Sequence, residues 1–213
     1  SGLSIAFSGS EIPLPEVTAA LGEIGFGLLM PVSASADPQE FGMGITLADL
    51  TVSDMIWGMI DPGGMITRDP ATLIVDVSGM ANWFFDIMDP EAAMAMETDM
   101  PGEVHSLDLN ELALSVGGAD LTGTGAFTFN NDDLETFDGL PAPTGKIDLQ
   151  LVGANALLDT LVTMGLVPED QAMGARMMMG LFARPGDGED TLVSTIEVDG
   201  ETGAISANGQ RLQ

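Results

Sequence analysis

The side chains that could perform acid–base chemistry begin with a single histidine. His105 stands two residues after Glu103 and three before Asp108. A serine hydrolase would need this histidine as its general base, but no Gly-x-Ser-x-Gly sequence supplies the matching nucleophile. A zinc site would have to take carboxylates for its remaining ligands, which is unusual. We therefore interpret His105 as a solvated surface histidine.

Carboxylates are abundant enough to offer the paired acids of a glycoside hydrolase. The chain holds 33 aspartates and glutamates, so close pairs arise by chance, and the sequence marks no pair by surroundings that raise a pKa. Aromatic residues, which often line sugar-binding clefts, make up only 5% of the chain. A hydrolase is therefore a remote alternative, and we predict that the protein is not an enzyme.

Two acidic loops carry the hard oxygen ligands that Ca²⁺ prefers. They are Asn130–Asp133 and Asp187–Asp190, and neither matches the twelve-residue EF-hand pattern. Asp, Asn and Gly also favour turns for reasons of backbone conformation alone. We interpret both loops as solvated turns, and we predict no metal and no cofactor.

Methionine is the most unusual side chain of the sequence, with 15 copies in 213 residues. Met173 and Met177–Met179 fall in one segment, where they form either a Met-rich core or a deformable lining for acyl chains. Copper(I) ligation by thioethers would need a compact motif with His or Cys, which is missing. The residues predicted to form an apolar groove are Leu158, Leu161, Met173, Met177, Leu181 and Phe182.

The elements that must position these residues are mostly strands. Apolar residues alternate with small or polar ones along eight to ten short segments, which places the apolar side chains on one face. The phase slips at Asn110–Glu111, which predicts a β-bulge, and Gly123 and Gly125 on the inward face predict close approach of a neighbouring element. Strands that follow one another along the chain predict an antiparallel meander.

Three helices are expected. Ser53 is positioned to cap a short helix through Met59, and Asn155 to Phe182 is typical of a helical hairpin interrupted at Gly165 and Pro168. The second helix of that hairpin is apolar all round except for Arg176, so we expect it to be buried on most sides. The fold class is mainly β (α+β): one domain, residues 1–213, in which a curved antiparallel sheet wraps a helical hairpin.

The charge balance excludes several kinds of partner. A formal charge of −28 repels nucleic acid and anionic membrane surfaces, which are normally bound through Lys and Arg clusters. It also favours a marine or halotolerant source, because salt screens the repulsion between acids.

No apolar run is long enough for a transmembrane segment, and the absence of Cys excludes disulfides and thiolate sites.

Six short motifs lie between about Ile24 and the C-terminus. They are Trp57 with Asp61-Pro62, Arg68–Leu73, Leu109–Leu112, Gly118–Gly123, Asn155–Asp159 and Asn208–Leu212. Together they resemble an alphaproteobacterial envelope family of unknown function. The closing strand is also similar to the ends of AsmA-like envelope proteins, whose curved sheets form apolar grooves for lipid. The resemblance implies an exported, periplasmic protein and no known activity. We interpret the chain as the C-terminal part of a longer protein.

The leading hypothesis is a non-enzymatic cell-envelope protein that binds or shields an apolar ligand such as lipid. The alternative is a structural or protein-interaction domain of the envelope. Lipid binding predicts an apolar cavity of a few hundred Å³ beside Met173–Phe182. An interaction domain predicts an exposed apolar patch or an unpaired strand edge instead.

Overall fold

The chain folds as a long antiparallel sheet with its helices near one end. The structure, a computed structural model, describes residues 3–7, 17–86, 89 and 102–212. The helices are α1 Asp54–Ile60, α2 Ala154–Thr163 and α3 Glu169–Phe182. The strands are β1 Leu3–Phe7, β2 Val17–Leu21, β3 Glu23–Leu29, β4 Gln39–Val52, β5 Ala71–Trp83, β6 Gly102–Val116, β7 Ala119–Asn130, β8 Ala142–Val152, β9 Arg184–Pro185, β10 Thr191–Asp199, β11 Ala204–Ala207 and β12 Gln210–Arg211.

The strands pair in an open meander. Their order is β1-β2-β4-β5-β6-β7-β8-β10-β11-β12. Strand β3 pairs with β4 on the same edge as β2, and β9 pairs with β10. Every pairing is antiparallel, as the sequence predicts. The predicted mainly β fold with an antiparallel sheet is therefore confirmed, and the structure shows in addition that the sheet is open.

One face of this sheet is apolar because the cross-strand register keeps the alternating residues in phase. A row of leucines crosses the sheet from β4 to β10 through successive partners: Leu47, Leu73, Leu114, Leu121, Leu151 and Leu192. The register shifts between Leu109 and Leu112, which confirms the predicted bulge and keeps these leucines opposite Val77 and Val75 of β5. We call this side the apolar face.

Glycines on the apolar face let neighbouring side chains lie flat across the strands. A Cβ at Gly79 would stand 2.7 Å from the ring of Phe41 and 2.1 Å from the Ser106 carbonyl oxygen. A Cβ at Gly123 would stand 2.6 Å from Cδ2 of Leu149. The predicted close approach at Gly123 is confirmed, and it comes from side chains of the same sheet.

The helical hairpin covers only part of the apolar face. Antiparallel sheets need a second layer over an apolar side, yet no large apolar side chain among the described residues is fully enclosed. The prediction that α3 is buried on most sides is wrong, because Ala172 is its only buried residue. Its turns meet the sheet along one narrow side, and the opposite side carries apolar residues into solvent.

The helix boundaries follow the sequence signals closely. Helix α1 starts after Ser53, and α3 starts after Pro168 with Glu169 and Asp170 in its first turn. Ser53 occupies the predicted cap position, but its side chain makes no cap hydrogen bond. The helical turn predicted around Pro90–Met96 lies outside the described residues.

Candidate functional site

An apolar cavity lies between α3 and the apolar face. Its volume is about 290 Å³, and we call it the hairpin cavity. Its walls come from the last turns of the helix and from β7, β8 and β10. The residues that enclose it are Leu121, Leu149, Leu151, Met178, Met179, Phe182, Ala183, Leu192, Val193, Ser194 and Ile196. The composition of these walls suits hydrocarbon better than a polar group, because contact with them removes apolar surface from water.

Two hydrogen bonds fix the helix end that roofs the cavity. The hydroxyl of Ser194 on β10 donates to the backbone oxygen of Phe182. The side-chain amide of Asn208 donates to the same oxygen at 2.9 Å. Asn208 is itself held by the Thr195 backbone N–H, which donates to its Oδ1 at 3.0 Å. The last turn of α3 is therefore tied to the sheet from two sides.

The two helices of the hairpin are joined by Arg176. Its guanidinium donates to Asp159 Oδ1 at 2.7 Å and to Asn155 Oδ1 at 3.3 Å. Arg176 is thus a link between α2 and α3, which explains a cation inside an otherwise apolar helix. An ion pair of this exposure is worth about 1 kcal/mol or less, so it sets geometry more than stability.

The first turn of α2 is capped by Asp190, which lies far away in sequence, in the loop before β10. Asp190 accepts hydrogen bonds from the backbone N–H of Asn155 at 3.3 Å and of Ala156 at 2.9 Å. Gly153, at the cap position, has no side chain to do this. The hairpin is therefore anchored at both its first and its last turn to the segment around β10.

The predicted groove residues divide into three groups. Phe182 lines the hairpin cavity. Leu158 and Leu161 are half-buried on α2 and are not among the residues that enclose the cavity. Met173, Met177 and Leu181 lie on the outer side of α3, where the two methionines are 61% and 66% exposed.

Met178 and Met179 belong to the predicted Met-rich segment but not to the predicted groove residues, and the cavity residues that sequence reasoning missed are Ala183 and those of the sheet. The sequence signal for the inner side of α3 was the spacing of its small residues. Ala172 and Ala175 recur with Met179 at helical spacing, and this side of α3 is more enclosed than the side with Met173 and Met177. Small residues mark the line where a helix can approach a sheet closely.

A second apolar cavity of about 190 Å³ lies at the other end of the same face. It is enclosed by Leu28, Leu29, Met30, Phe41, Gly42, Met43, Ala81, Trp83 and Val104. Beside it, strand β3 pairs with β4 and with no other strand among the described residues. Phe26 and Leu28 on this strand are 70% and 59% exposed.

His105 makes a contact between strands. Its Nε2 lies 2.5 Å from Oδ1 of Asn82, which is a buried side chain on β5. The ring is half-buried and hydrogen-bonded to Asn82, so it is less solvated than the sequence predicts. Its observed role is to pair with a neighbouring strand.

Acidic side chains in the two loops hold backbone amides. Asp133 accepts from the backbone N–H groups of Glu135 and Thr136 and from the Thr136 hydroxyl, and this hydroxyl contributes most to holding the pKa of Asp133 below its usual value. Asp190, in the second loop, caps α2. Within the described ranges, no group of three or more His, Cys, Asp or Glu residues is arranged to hold a metal ion.

The polar face carries wider and more open depressions. One of about 480 Å³ includes Glu111, Gln150, Asp148 and Arg184. Hydrogen bonds from the Thr195 hydroxyl and then from Lys146 lower the pKa of Asp148. A catalytic general acid needs the opposite shift, so this depression gives the hydrolase alternative no support.

The sequence matches one protein-family model over nearly its whole length. Residues 4–211 match the family described as an uncharacterized protein conserved in bacteria, DUF2125. The chain belongs to this family. No curated protein and no solved structure matches it. Of the helices that the structure describes, none is long and apolar enough to cross a membrane.

Proposed function

We propose that this DUF2125 chain is a non-enzymatic cell-envelope protein that binds or shields an apolar ligand such as lipid. The observation that carries the proposal is the hairpin cavity, an apolar space of about 290 Å³ bounded by Met178, Met179 and Phe182. Ligand sites run from about 300 to 1,000 Å³, so this one suits a single hydrocarbon chain or a flat ring system.

The energy for binding comes from the walls. Each buried CH₂ contributes about 0.8 kcal/mol, so a chain of about ten carbons gains about 8 kcal/mol, from which the cost of losing its free motion is subtracted. Met178 and Met179 have unbranched, flexible side chains that adapt to differently shaped ligands. The uncovered remainder of the apolar face gives a longer ligand a surface on which to continue.

A second candidate function is a structural or protein-interaction domain of the envelope. It is favoured by the edge of β3 that no other described strand pairs with, since this seven-residue strand exposes Ile24, Phe26 and Leu28. A strand of this kind is a template for pairing with another chain. This alternative requires oligomers or a co-purifying protein, whereas the ligand hypothesis requires a bound small molecule.

The location rests on the sequence. A periplasmic position, an alphaproteobacterial and salt-tolerant source, and the AsmA-like resemblance of the last strand remain predictions. Fractionation of cells that make the native protein tests the first of them. Recovery with periplasmic markers supports it, and recovery with cytoplasmic markers contradicts it.

A fluorescence titration tests the ligand hypothesis. The probe is Nile red, which is uncharged and brightens in apolar surroundings, and decanol is the competitor. Met179→Gln puts an amide into the cavity wall and should weaken Nile red binding about tenfold, which corresponds to about 1.4 kcal/mol. Met59→Gln is the matched control, since Met59 is 69% exposed on α1. Equal binding by both variants, or no displacement by decanol, would overturn the proposal.

A further inference from the structure

The hairpin cavity offers a ligand no free polar group. Among the residues that enclose it, Ser194 alone has a polar side chain. Its hydroxyl hydrogen is already donated to the Phe182 backbone oxygen. A carboxylate or phosphate set against these walls would find no hydrogen-bond donor, so any hydration that it lost there would not be replaced.

The end of α3 adds an unfavourable field for anions. Phe182 and Ala183 line the cavity, so it lies at the carboxyl end of a 14-residue helix. That end carries a partial negative charge, and α3 has no basic residue in its last turn. The helix end therefore disfavours an anionic head group placed beside it.

The positive charges of the chain do not offset this unfavourable field for anions, because most of them already interact with acids. Arg68, Lys146 and Arg176 form ion pairs with Asp54, Asp148 and Asp159, respectively. The pKa of Asp199 is lowered mainly by hydrogen bonds from Thr202, then by the Glu201 backbone N–H, and finally by the charge of Arg211. Arg211 is therefore also engaged with an acid.

Arg184 is the cation nearest to the cavity in sequence, because it directly follows Ala183. Its neighbour across the β9–β10 pair is Val193, and it lines the depression on the polar face together with Gln150 and Thr195. It is not one of the residues that enclose the hairpin cavity. An acyl carboxylate in the cavity would therefore have to reach around the strand to meet it.

We infer that the ligand of the hairpin cavity is an uncharged apolar molecule, such as a hydrocarbon, long-chain alcohol or ester, and not an ionised fatty acid or anionic phospholipid. This inference rests on the proposed function and names its ligand class. Three observations carry it: the apolar wall, the used hydroxyl of Ser194 and the carboxyl end of α3. The net charge of −28 acts in the same direction.

Decanol and decanoate test this inference, because they share a chain length and differ in the charge of one end. Both compete against Nile red at about pH 8, where a carboxyl group with a pKa near 4 is ionised. The measurement is repeated in about 1 M NaCl, where the Debye length is about 3 Å and the distant acids are screened. Decanol should bind at least about tenfold more tightly than decanoate in both salts.

The outcomes separate the inference from the proposed function. Decanoate binding as tightly as decanol would overturn the inference and leave the ligand hypothesis standing. Displacement by neither compound would overturn both. A preference for decanol that disappears in high salt would also overturn the inference, because the cause would then be the net charge and not the cavity.

A cation introduced at the cavity should reduce the preference for decanol over decanoate. Met178 lines the cavity and is 55% exposed, so Met178→Lys keeps an apolar stem and adds a cation. This variant should bind decanoate about tenfold more tightly than the native chain does. Met178→Gln, of similar length and uncharged, should not. Arg184→Gln should leave decanoate binding unchanged, and a loss of decanoate binding there would assign the anion to Arg184 and contradict the inference.

Discussion

Ser194 donates its hydroxyl hydrogen to the backbone oxygen of Phe182. Ser194 stands on the apolar face opposite Leu149, in the middle of a sheet that is otherwise apolar there. A polar residue occupies this position because its hydroxyl hydrogen-bonds the last turn of α3 to β10. This hydrogen bond holds the helix turn that forms one wall of the cavity against the strand that forms the other.

Replacing Ser194 should loosen this helix turn. Ser194→Ala removes one hydrogen bond while Asn208 still donates to the Phe182 oxygen, so the free energy of unfolding should fall by about 1 kcal/mol. Urea denaturation measures the change, and Ser206→Ala on β11 is the control. A native-like stability for Ser194→Ala would show that the bond has no part in holding the helix.

Gly79 should not tolerate a side chain. A Cβ there would meet the Ser106 carbonyl oxygen and the Phe41 ring, so Gly79→Ala should destabilise the chain by roughly 1–3 kcal/mol through overpacking. Gly27→Ala on β3 meets no atom within 4 Å and should change stability by less than about 0.5 kcal/mol. Equal effects of the two substitutions in urea denaturation would contradict the observed register of β4 and β5.

Asp190 should stabilise α2 although it lies 35 positions from Asn155. Asp190→Ala removes the acceptor of the first-turn N–H groups and should cost about 1 kcal/mol, as for other caps. Asp187→Ala, in the same loop, is the control and should be close to neutral. Circular dichroism during thermal unfolding checks both, and the assignment of Asp190 as the cap is wrong if Asp187→Ala is the more damaging change.

Acid should weaken the fold partly through Asp61. This side chain is 3% exposed, and hydrogen bonds from the Met65 and then the Ile66 backbone N–H hold its pKa below the usual value. A lowered folded-state pKa means that the stabilisation is complete above the unfolded pKa of about 3.9 and is lost as the pH falls through the folded value.

The Asp61→Asn variant isolates this contribution. It should be less stable than the native chain at about pH 7, and the difference between the two should shrink as the pH falls below about 4. Urea denaturation across this range measures it. A difference that stays constant with pH would show that Asp61 does not bind the loop amides through its charge.

The sheet could be predicted because its pattern is local. Each strand alternates with a period of two, and antiparallel neighbours follow one another along the chain, so Phe41 to Leu47 and Ile147 to Leu151 indicate both their faces and their pairing. The bulge near Asn110 is visible for the same reason, as a change of phase. These features need no knowledge of distant parts of the chain.

The position of α3 could not be predicted in the same way. A helix that is apolar on all sides has no polar side to show which residues face water, so its sequence favours Met173 and Met177 as much as Met179 for the inner side. The one sequence signal for Met179, its helical spacing from the small residues Ala172 and Ala175, becomes decisive only once the position of the sheet is known. The surroundings of His105 escape prediction for a similar reason, since its partner Asn82 becomes its neighbour only through the pairing of β5 with β6.

The most direct test of the ligand hypothesis is native mass spectrometry of the protein isolated from cells that make it, followed by solvent extraction. The hypothesis predicts a chain mass increased by one uncharged apolar molecule, and loss of that increment in Met179→Gln but not in Met59→Gln. A bare chain mass, unchanged after incubation with decanol and longer alcohols, would contradict it and leave the interaction domain as the better explanation.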